Sequence, residues 1–472
     1  MRSSKNWIEW VAGLGVKIGL EIHQRLDSWK LHCFCYAYPS AEKSEFHVDE
    51  VLHRRLKAVG GELGEIDVAA AYEAGKKIVF EYLIDSRFSC SVESDEQPPC
   101  PLNNDALMIA LGIAKALHSK VVDEAHVMRK TIADGSAVSG FQRTMLIATG
   151  GFVETSKGKV GVQSVALEEE SAGIVEKTEG KFVYRLDRLG IPLVEIATAP
   201  DVKDGEHAKE TAEKLGGILR ASGRVQRGLG SIRQDLNVSV DGGERTELKG
   251  VQDLKLLPKI IDVEIARQRR ESVREGGETR RIIGLESEYM RPLPGAARIY
   301  PETDVPHVGI EKRMLDEAVV GESAEEQTAG LRKIGLNEQM AQRMASSKDS
   351  GLFERIVRET KADATAVAST LLETIVSLRR EGVKTDKITE LQLKELFSLY
   401  AKGVIVKAAI PEILRELPSG NGAEKITGGK GLRKLSEKEL DSLVKSGKGF
   451  GELMREHRLR VDPAELQKRL KR

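Results

Sequence analysis

The chain has 472 residues, of which 73 are basic and 73 acidic, and its four cysteines are too few for a disulfide framework. This length predicts roughly two to four domains, and the cysteine count favours a reducing compartment such as the cytoplasm. No stretch approaches the ~18 consecutive apolar residues of a membrane-spanning helix. Because the formal net charge is zero, a nucleic-acid partner would have to bind a local basic patch.

Short apolar runs separated by polar turns dominate the first 310 residues. Strands are predicted at Val16–Ile22, Val160–Leu167, Phe182–Leu186 and Ile191–Ala197, and helices at Asn104–Leu117, His207–Leu219 and Leu256–Gln268. Asn103 or Asn104 would cap the first helix. Because strands and helices do not alternate strictly, the pattern predicts an α+β fold. After Glu311 the apolar spacing becomes helical, and a turn-rich stretch at Pro418 begins a basic tail.

Carboxylates occur at unusual places in the predicted strands. Glu21 and His23 alternate along the first strand and therefore face the same side of it, although such a pair alone is more often an ordinary polar face than a metal site. Glu195 interrupts a continuous apolar run. A carboxylate in a buried strand is costly unless it is paired or bound to metal. Glu195 therefore indicates either a functional group or an ion pair with Arg188 or Lys249.

The chemistry that suits these carboxylates is that of a hard cation. Mg²⁺ prefers a few protein oxygens together with phosphate oxygens and water. The sequence contains neither G-x-x-x-x-G-K-[ST] nor G-x-G-x-x-G, so a nucleotide would need a different phosphate-binding structure. The hypothesis is a Mg²⁺ site that binds nucleotide phosphates and stabilises charge during phosphoryl transfer.

The cysteines suggest a separate site. All four lie within the first hundred residues, as Cys33, Cys35, Cys90 and Cys100. A structural zinc site with four thiolates would explain this grouping. The spacings are unusual, however, and buried thiols without metal explain them equally well.

Seven segments carry a family resemblance: Gly19–Asp27, Val127–Lys130, Asp134–Thr144, Leu167–Glu169, Asp187–Ile196, Gly230–Asn237 and Tyr289–Asp304. Together they resemble the GatB/GatE family, the kinase and transamidase subunits of tRNA-dependent amidotransferases. The segments around residues 139–144 and 292–298 resemble its archaeal branch in particular. The resemblance covers about residues 15–310 and weakens beyond them.

The resemblance implies both an architecture and a reaction. It implies a cradle-shaped catalytic domain with a mixed sheet at 1–310, a helical domain at 311–400 and an abbreviated tail domain similar to YqeY at 401–472. Glutamate esterified to tRNA(Gln) would be phosphorylated by ATP on its side-chain carboxylate, and ammonia would then displace phosphate to give Gln-tRNA(Gln). A separate asparaginase-like D component of a hetero-oligomer would supply the ammonia from asparagine or glutamine.

The resemblance also assigns roles to residues by motif position. Three residues become Mg²⁺ ligands and a fourth lies beside them in the catalytic site: His23, Glu168, Glu195 and Glu21. Glu169 would replace Glu168 if the register of the glutamate run were shifted by one. Two arginines are candidate partners of the transferred phosphoryl group or the substrate carboxylate: Arg233 and Arg298.

Three departures from the family pattern leave a rival hypothesis open. Residues 281–289 run across the place where archaeal members carry a large insertion similar to a domain of bacterial aspartyl-tRNA synthetase. Glu170 replaces an aspartate, and the tail is short. The rival is a non-catalytic tRNA-binding or assembly scaffold of the same fold, but the filled catalytic positions favour the enzyme.

Overall fold

The computed structural model describes residues 15–35, 46–61, 64–322, 324–347 and 349–470. The chain divides into two compact units that separate after Glu322. The first unit contains all the described strands and several helices, and the described part of the second is helical. This confirms the α+β fold class. The three-domain division at residues 310 and 400 stays a prediction.

The strands of the first unit form three sheets. Their bounds are β1 Lys17–Arg25, β2 Glu50–Arg54, β3 Val79–Ile84, β4 Lys120–Val121, β5 Glu124–Ala125, β6 Val127–Thr131, β7 Phe141–Thr149, β8 Phe152–Thr155, β9 Gly158–Glu169, β10 Gly173–Thr178, β11 Lys181–Arg185, β12 Pro192–Thr198, β13 Ile232–Ser239, β14 Thr246–Val251, β15 Glu278–Ile283, β16 Glu286–Pro292, β17 Ile299–Pro301 and β18 Val308–Gly309.

The largest sheet has twelve strands and carries the candidate site. Its main order is β16-β15-β14-β13-β1-β12-β9-β7-β6-β17, with β4 paired to β7 and β8 paired to β9. Most neighbours are antiparallel, while β14 and β15 are parallel, so the sheet is mixed. A second sheet has the order β10-β11-β3-β2, and β5 pairs with β18.

The helices described in the first unit are α1 Val68–Ala74, α2 Asn104–Ala116, α3 Gly205–Ala221, α4 Leu257–Arg270 and α5 Lys312–Glu317. Asn103 caps α2, since its side-chain oxygen accepts hydrogen bonds from the backbone N–H groups of Asp105 and Ala106. The three helices expected from periodicity, near residues 104, 207 and 256, are all present, each within two residues of its predicted bounds.

Alternation along β1 separates core residues from site residues. Ile18, Leu20 and Ile22 are buried in one apolar core together with residues of α2, α3 and α4. Glu21 and His23 alternate with them and are only partly buried. Because successive side chains of a strand point to opposite faces, the helices cover one face of β1 and the polar residues occupy the other.

The hairpin of β15 and β16 closes the region where an insertion was considered. Ile283 pairs with Glu286, so only Gly284 and Leu285 form the turn. Gly284 has a φ of 66°, a left-handed conformation that suits the first central residue of a tight hairpin turn. The sheet therefore continues through this region without an added domain.

The second unit consists of short helices around two apolar clusters. Its described helices are α6 Ala324–Lys333, α7 Glu338–Ala345, α8 Ser350–Thr360, α9 Ala364–Ser369, α10 Ile375–Arg380, α11 Glu390–Ala401, α12 Ile410–Glu416, α13 Ala423–Gly429, α14 Glu437–Val444, α15 Phe450–His457 and α16 Pro463–Leu470, with a π-helical turn at Thr370–Thr374. The larger cluster runs from Leu331 to Leu432, and the smaller from Leu435 to Leu466. None of the described helices is long and apolar enough to cross a membrane.

Candidate metal and nucleotide site

One cluster of ligand atoms forms where β1, β12 and β9 lie side by side. His23 of β1 is directly opposite Glu195 of β12, and Leu193 of β12 is opposite Glu168 of β9. The imidazole Nε2 of His23 lies 3.0 Å from a carboxylate oxygen of Glu195. Potential ligand atoms of His23, Glu168 and Glu195 all lie within 4.8 Å of one another. The structure thus brings together the three residues that the family resemblance assigned to Mg²⁺.

A second cluster forms on the other side of β1. Glu21 is opposite Asp235 of β13, and these two carboxylates lie within 4.8 Å of that of Glu247 on β14. Glu21 and His23 share one face of β1, but each belongs to a different cluster. Asp235 and Glu247 were not predicted as site residues. The alternation of Arg233, Asp235 and Asn237 along a strand was the signal that could have found Asp235.

Each cluster contains a lysine. The ammonium group of Lys130 contacts carboxylate oxygens of Glu168 and Glu195, the latter at 3.4 Å. Lys249 lies 2.6 Å from Asp235 and 2.7 Å from Glu247. The lysine that pairs with Glu195 is therefore Lys130. Lys249, which the sequence analysis considered for this role, pairs with Asp235 and Glu247. Sequence pattern could not identify Lys130, because it reaches the site from β6, two strands beyond β9.

The other residue considered as a partner of Glu195 lies elsewhere. Arg188 is 3.6 Å from a carboxylate oxygen of Glu170, the residue that replaces the family's aspartate. Both alternatives for pairing Glu195 were thus wrong, because each basic side chain has an acidic partner of its own.

The charges of the first cluster shift the pKa values of Glu195, His23 and Lys130. Burial alone would raise the pKa of Glu195, but the charge of Lys130 and the hydrogen bond with His23 hold it well below its usual range. Burial opposes the charged imidazole of His23, yet Glu195 raises its pKa. The pKa of Lys130 is raised because Glu168 and Glu195 outweigh its burial. Glu195 is therefore an ionised carboxylate, as a metal ligand must be.

In the second cluster the pKa of Glu21 shifts in the opposite direction to that of Glu195. Burial, followed by repulsion from Glu195 and Glu247, raises the pKa of Glu21. The side-chain amide of Asn237 donates a hydrogen bond of 3.2 Å to Glu21. Glu247 has its pKa lowered to about 2, since Lys249 and a hydrogen bond from Thr279 outweigh its burial.

Three consecutive glutamates at the end of β9, the last of them just beyond the strand, have different partners. Glu168 belongs to the first cluster, whereas Glu169 accepts hydrogen bonds from the backbone N–H of Arg143 at 3.0 Å and from its guanidinium at 3.4 Å. Glu170 is fully buried, and its carboxylate contacts arginine side chains and accepts a hydrogen bond of 2.9 Å from the backbone N–H of Ser171. The register that places Glu168 in the site is therefore the one found, and Glu169 is not needed as its replacement.

Both clusters line one cavity of about 560 Å³ in the first unit. Arg233 and Arg298 also line it, but their contacts differ. The guanidinium of Arg233 donates two hydrogen bonds to Glu170, at 2.5 and 2.8 Å. Arg298 donates one to the backbone carbonyl of Thr131, at 3.2 Å. Arg233 is thus committed to a buried carboxylate, which argues against its predicted role as a phosphate partner.

The cysteine cluster includes a glutamate in place of the expected fourth thiol. Sulfur atoms of Cys33, Cys35 and Cys90 and a carboxylate oxygen of Glu93 lie within 4.8 Å of one another. Cys100 is not in this group. A turn joins Cys90 to Glu93, and the backbone N–H of Cys90 donates to the Glu93 carboxylate at 2.8 Å. Counting cysteines in the sequence could not reveal a carboxylate ligand brought close by this turn.

Hydrogen bonds among the thiols shift the pKa values of Cys33 and Cys90 in opposite directions. Hydrogen bonds from Cys33 and Cys35 lower the pKa of Cys90, while those with Cys35 and Cys90 raise the pKa of Cys33. Lys30 is fully buried and lies 3.0 Å from the Glu93 carboxylate. Three sulfurs and one carboxylate are a donor set that suits a tetrahedral zinc ion.

Comparison with known proteins identifies the family. A model of the GatB/GatE catalytic domain matches residues 16–316, which include both carboxylate clusters and the cysteine cluster. The chain belongs to the GatB/GatE family. A second model, described as a GatB domain, matches residues 351–446 in the helical unit. Membership of the GatB/GatE family thus agrees with the resemblance found in the sequence motifs.

The similar proteins include archaeal subunits of one enzyme. The E component of glutamyl-tRNA(Gln) amidotransferase from Methanocaldococcus jannaschii is 33% identical over 580 aligned positions, which cover 91% of each chain. The protein of that name from Pyrococcus horikoshii is 34% identical, and the alignment covers 91% of this chain and 89% of the relative. The one from Archaeoglobus fulgidus is 33% identical, and the alignment covers 97% of this chain and 98% of the relative. Alignments longer than this chain's 472 residues mean that these relatives carry residues with no counterpart here, in agreement with the absent insertion.

Proposed function

We propose that this member of the GatB/GatE family catalyses the ATP-dependent amidation of Glu-tRNA(Gln) to Gln-tRNA(Gln). The observation that carries the proposal is the convergence of two carboxylate clusters, each with its own lysine, on one cavity within the catalytic domain. The similar archaeal proteins are named for this substrate. A scaffold without catalysis would gain nothing from so much partly buried charge.

The proposed reaction has two steps. An oxygen of the glutamyl side-chain carboxylate attacks the γ-phosphorus of ATP, and ADP leaves. Ammonia then attacks the acyl carbon of the mixed anhydride, and inorganic phosphate leaves. The first step is needed because a carboxylate oxygen is a poor leaving group, whereas a phosphate is a good one.

The residues of the first cluster fit a role in the phosphoryl transfer. His23, Glu168 and Glu195 would hold Mg²⁺, which when bound would neutralise charge on the nucleotide phosphates. The charge of Lys130 lowers the pKa of Glu195, and its ammonium group contacts the carboxylates of both Glu168 and Glu195. Glu21, in the neighbouring cluster, faces the same cavity and would help to orient the substrates.

We also propose the partners and a structural metal. Ammonia would come from an asparaginase-like protein in a hetero-oligomer, with asparagine or glutamine as donor. Zinc would bind Cys33, Cys35, Cys90 and Glu93 and fix the loop that follows β1. The cytoplasmic location stays a prediction.

The test is amidation with ammonium as the nitrogen source, which removes the need for a partner protein. The purified protein is mixed with ATP, Mg²⁺, Glu-tRNA(Gln) and ammonium chloride, and the charged tRNA is digested and its amino acid identified. We expect Gln-tRNA(Gln) that depends on both ATP and Mg²⁺. Binding of the tRNA without any product, under conditions in which an archaeal amidotransferase is active, would support the scaffold instead.

A further inference from the structure

Three of the four thiols lie together, and they differ in their access to solvent. Sulfur atoms of Cys33, Cys35 and Cys90 lie within 4.8 Å of one another and of a carboxylate oxygen of Glu93. Cys33 is buried, whereas Cys35 and Cys90 are partly exposed. A small reagent in solution can therefore reach two thiols of the cluster directly, and the third is shielded.

The shielded thiol is also engaged by neighbouring groups. The Sγ of Cys33 donates a hydrogen bond of 2.8 Å to a carboxylate oxygen of Glu93, and it accepts one of 3.4 Å from the backbone N–H of Cys35. The same carboxylate oxygen lies 3.0 Å from the buried ammonium group of Lys30. Cys33 would have to give up contacts beside a buried ion pair before it could bond to another sulfur. Cys35 and Cys90 are therefore the thiols that are free to react with each other.

The two loops that carry the thiols are held together by the protein itself. The loop that follows β1 is closed by a hydrogen bond of 3.2 Å from the backbone N–H of Lys30 to the carbonyl of Cys35. The loop between β3 and α2 is joined to it by the backbone N–H of Cys100, which donates to the carbonyl of His32 at 2.8 Å. The buried ion pair of Lys30 and Glu93 is a second link. The sulfur atoms therefore do not need a metal ion to stay close together.

The cluster has an odd number of thiols, because a carboxylate stands where a fourth would be. A disulfide consumes two of them, so oxidation of the cluster leaves one thiol reduced. Cys100, the remaining cysteine of the chain, is outside the group and offers it no sulfur. Burial and hydrogen bonding single out Cys33 as the thiol that stays reduced.

We propose that Cys35 and Cys90 form a disulfide on reaction with a hydroperoxide, and that this bond takes the place of zinc in the cluster. One thiol reduces the peroxide and becomes a sulfenic acid, while the O–O bond breaks and an alcohol, or water from hydrogen peroxide, leaves. The other thiol then attacks the sulfenic sulfur, the S–S bond forms and water leaves. The two thiols lose two electrons in all, and the peroxide gains them.

The disulfide and zinc exclude each other because they use the same sulfur atoms. Zinc binds thiolates, and a disulfide sulfur carries no such charge. Oxidation would leave Cys33 and Glu93 as ligands, which is fewer than the four that a structural zinc ion requires. The release of zinc rests on the metal site proposed above, whereas the disulfide itself does not. The cluster would thus give up its zinc when it is oxidised and bind it again when it is reduced.

The experiment treats the full-length, zinc-loaded protein with hydrogen peroxide and follows zinc release with a chromogenic chelator. The remaining thiols are alkylated, and the protein is digested with trypsin without reductant for mass spectrometry. Each of the two cysteine-containing peptides carries two cysteines, so fragment ions are needed to locate the bond. We expect complete loss of zinc, a bond between Cys35 and Cys90, and alkylated Cys33 and Cys100. Dithiothreitol followed by zinc should restore the metal content.

Two variants test the choice of cysteines. Cys100→Ser leaves the cluster intact and should show the same bond and the same zinc release as the wild type. In metal-free Cys35→Ser, the peroxide dose that links the wild type completely should form no disulfide within the chain. The map of the wild type does not depend on the folding of either variant. A bond that includes Cys33 or Cys100, or oxidation of the wild type without any disulfide, would overturn the proposal.

The outcomes also separate failure of the disulfide from failure of the proposed zinc site and activity. A protein that binds no zinc but links Cys35 to Cys90 retains the disulfide and loses the proposed metal. A protein that keeps its zinc and its free thiols at a peroxide dose that oxidises the metal-free form retains the metal and contradicts the exchange of zinc for a disulfide. Neither measurement requires the formation of Gln-tRNA(Gln).

Discussion

Glu168 and Glu170 lie two residues apart in one run of glutamates, yet they are in very different surroundings. Glu168 shares the cavity with His23, Glu195 and Lys130. Glu170 is inaccessible to solvent and is surrounded by Arg25, Arg188 and Arg233, at 2.7, 3.6 and 2.5 Å. The first carboxylate is open to a cavity that can admit a ligand, whereas the second has every oxygen engaged by the protein.

This difference in surroundings indicates that Glu170 contributes to the stability of the fold, whereas the carboxylates of the first cluster are available for function. A buried carboxylate saturated by guanidiniums has no capacity left for substrate or metal, and it links β1, β13 and the end of β9. The carboxylates of the first cluster are contacted by one lysine, a glutamine and an imidazole, which leaves oxygens for a metal ion. Loss of Glu195 should therefore affect catalysis, and loss of Glu170 should affect folding.

The largest effect is expected for Glu195→Gln. This change removes a proposed metal ligand but keeps the Lys130–Glu168 pair, so amidation should fall by about 10³-fold, equivalent to about 4 kcal/mol. The free energy of unfolding should fall as well, but by less than in Glu170→Gln, because Glu195 is partly exposed and Lys130 keeps Glu168 as a partner. Initial rates of Gln-tRNA(Gln) formation and urea denaturation measure the two quantities. Glu176→Gln, on the exposed part of β10, is the matched control and should change neither.

The next largest effect is expected for Glu170→Gln. Three arginines would lose their counter-charge, and breaking a buried ion pair in this way costs roughly 3 kcal/mol or more. Urea denaturation should show this loss as a lower midpoint with an unchanged slope. A stable Glu170→Gln protein with abolished amidation would reverse the comparison, since it would make Glu170 a functional residue.

A somewhat smaller effect is expected on acidification. Burial alone would raise the pKa of Glu170, but Arg233, helped by Arg188 and Arg25, lowers it to about 2 from its ordinary value of 4.5. A carboxylate with a lowered pKa stabilises the fold fully above about pH 4.5 and loses this contribution as the pH falls toward 2. The contribution is about 3 kcal/mol and should fall by roughly half by pH 3.

Denaturation of wild type and Glu170→Gln at several pH values isolates this contribution from those of other acids. The difference between the two unfolding free energies should be constant from pH 7 to about 5 and should shrink below that range. A difference that stays constant down to pH 3 would show that the arginines do not lower the pKa of Glu170.

The smallest effect is expected at Cys100. Glu93 and Cys100 lie in the same loop, but only Glu93 lies with the other three cysteines. Cys100→Ser should leave the zinc content of the purified protein unchanged, whereas Glu93→Ala should lower it, because only Glu93 lies with the other three cysteines. Elemental analysis of protein purified without chelator gives both values. Equal loss of zinc in the two variants would return Cys100 to the ligand set.

The sequence predicted those parts of the site that depend on a single strand or on a motif. Alternation placed Glu21 and His23 on one face, and an apolar run marked Glu195 as unusual. The sequence pattern could not predict the position of Lys130 in the site or the pairing of Arg233 with Glu170. Both depend on which strands become neighbours in a twelve-strand sheet. Glu93 was missed for a related reason, since a local turn brought a carboxylate to thiols sixty residues away.

The most direct test of the account is the formation of ADP when ATP and Glu-tRNA(Gln) are mixed with the protein in the absence of any nitrogen donor. We predict a burst of ADP that requires Mg²⁺ and Glu-tRNA(Gln), and that Glu195→Gln lacks while Glu176→Gln retains it. An undiminished burst in Glu195→Gln, or no burst from wild-type protein that binds both substrates, would contradict the claim that the first cluster performs phosphoryl transfer.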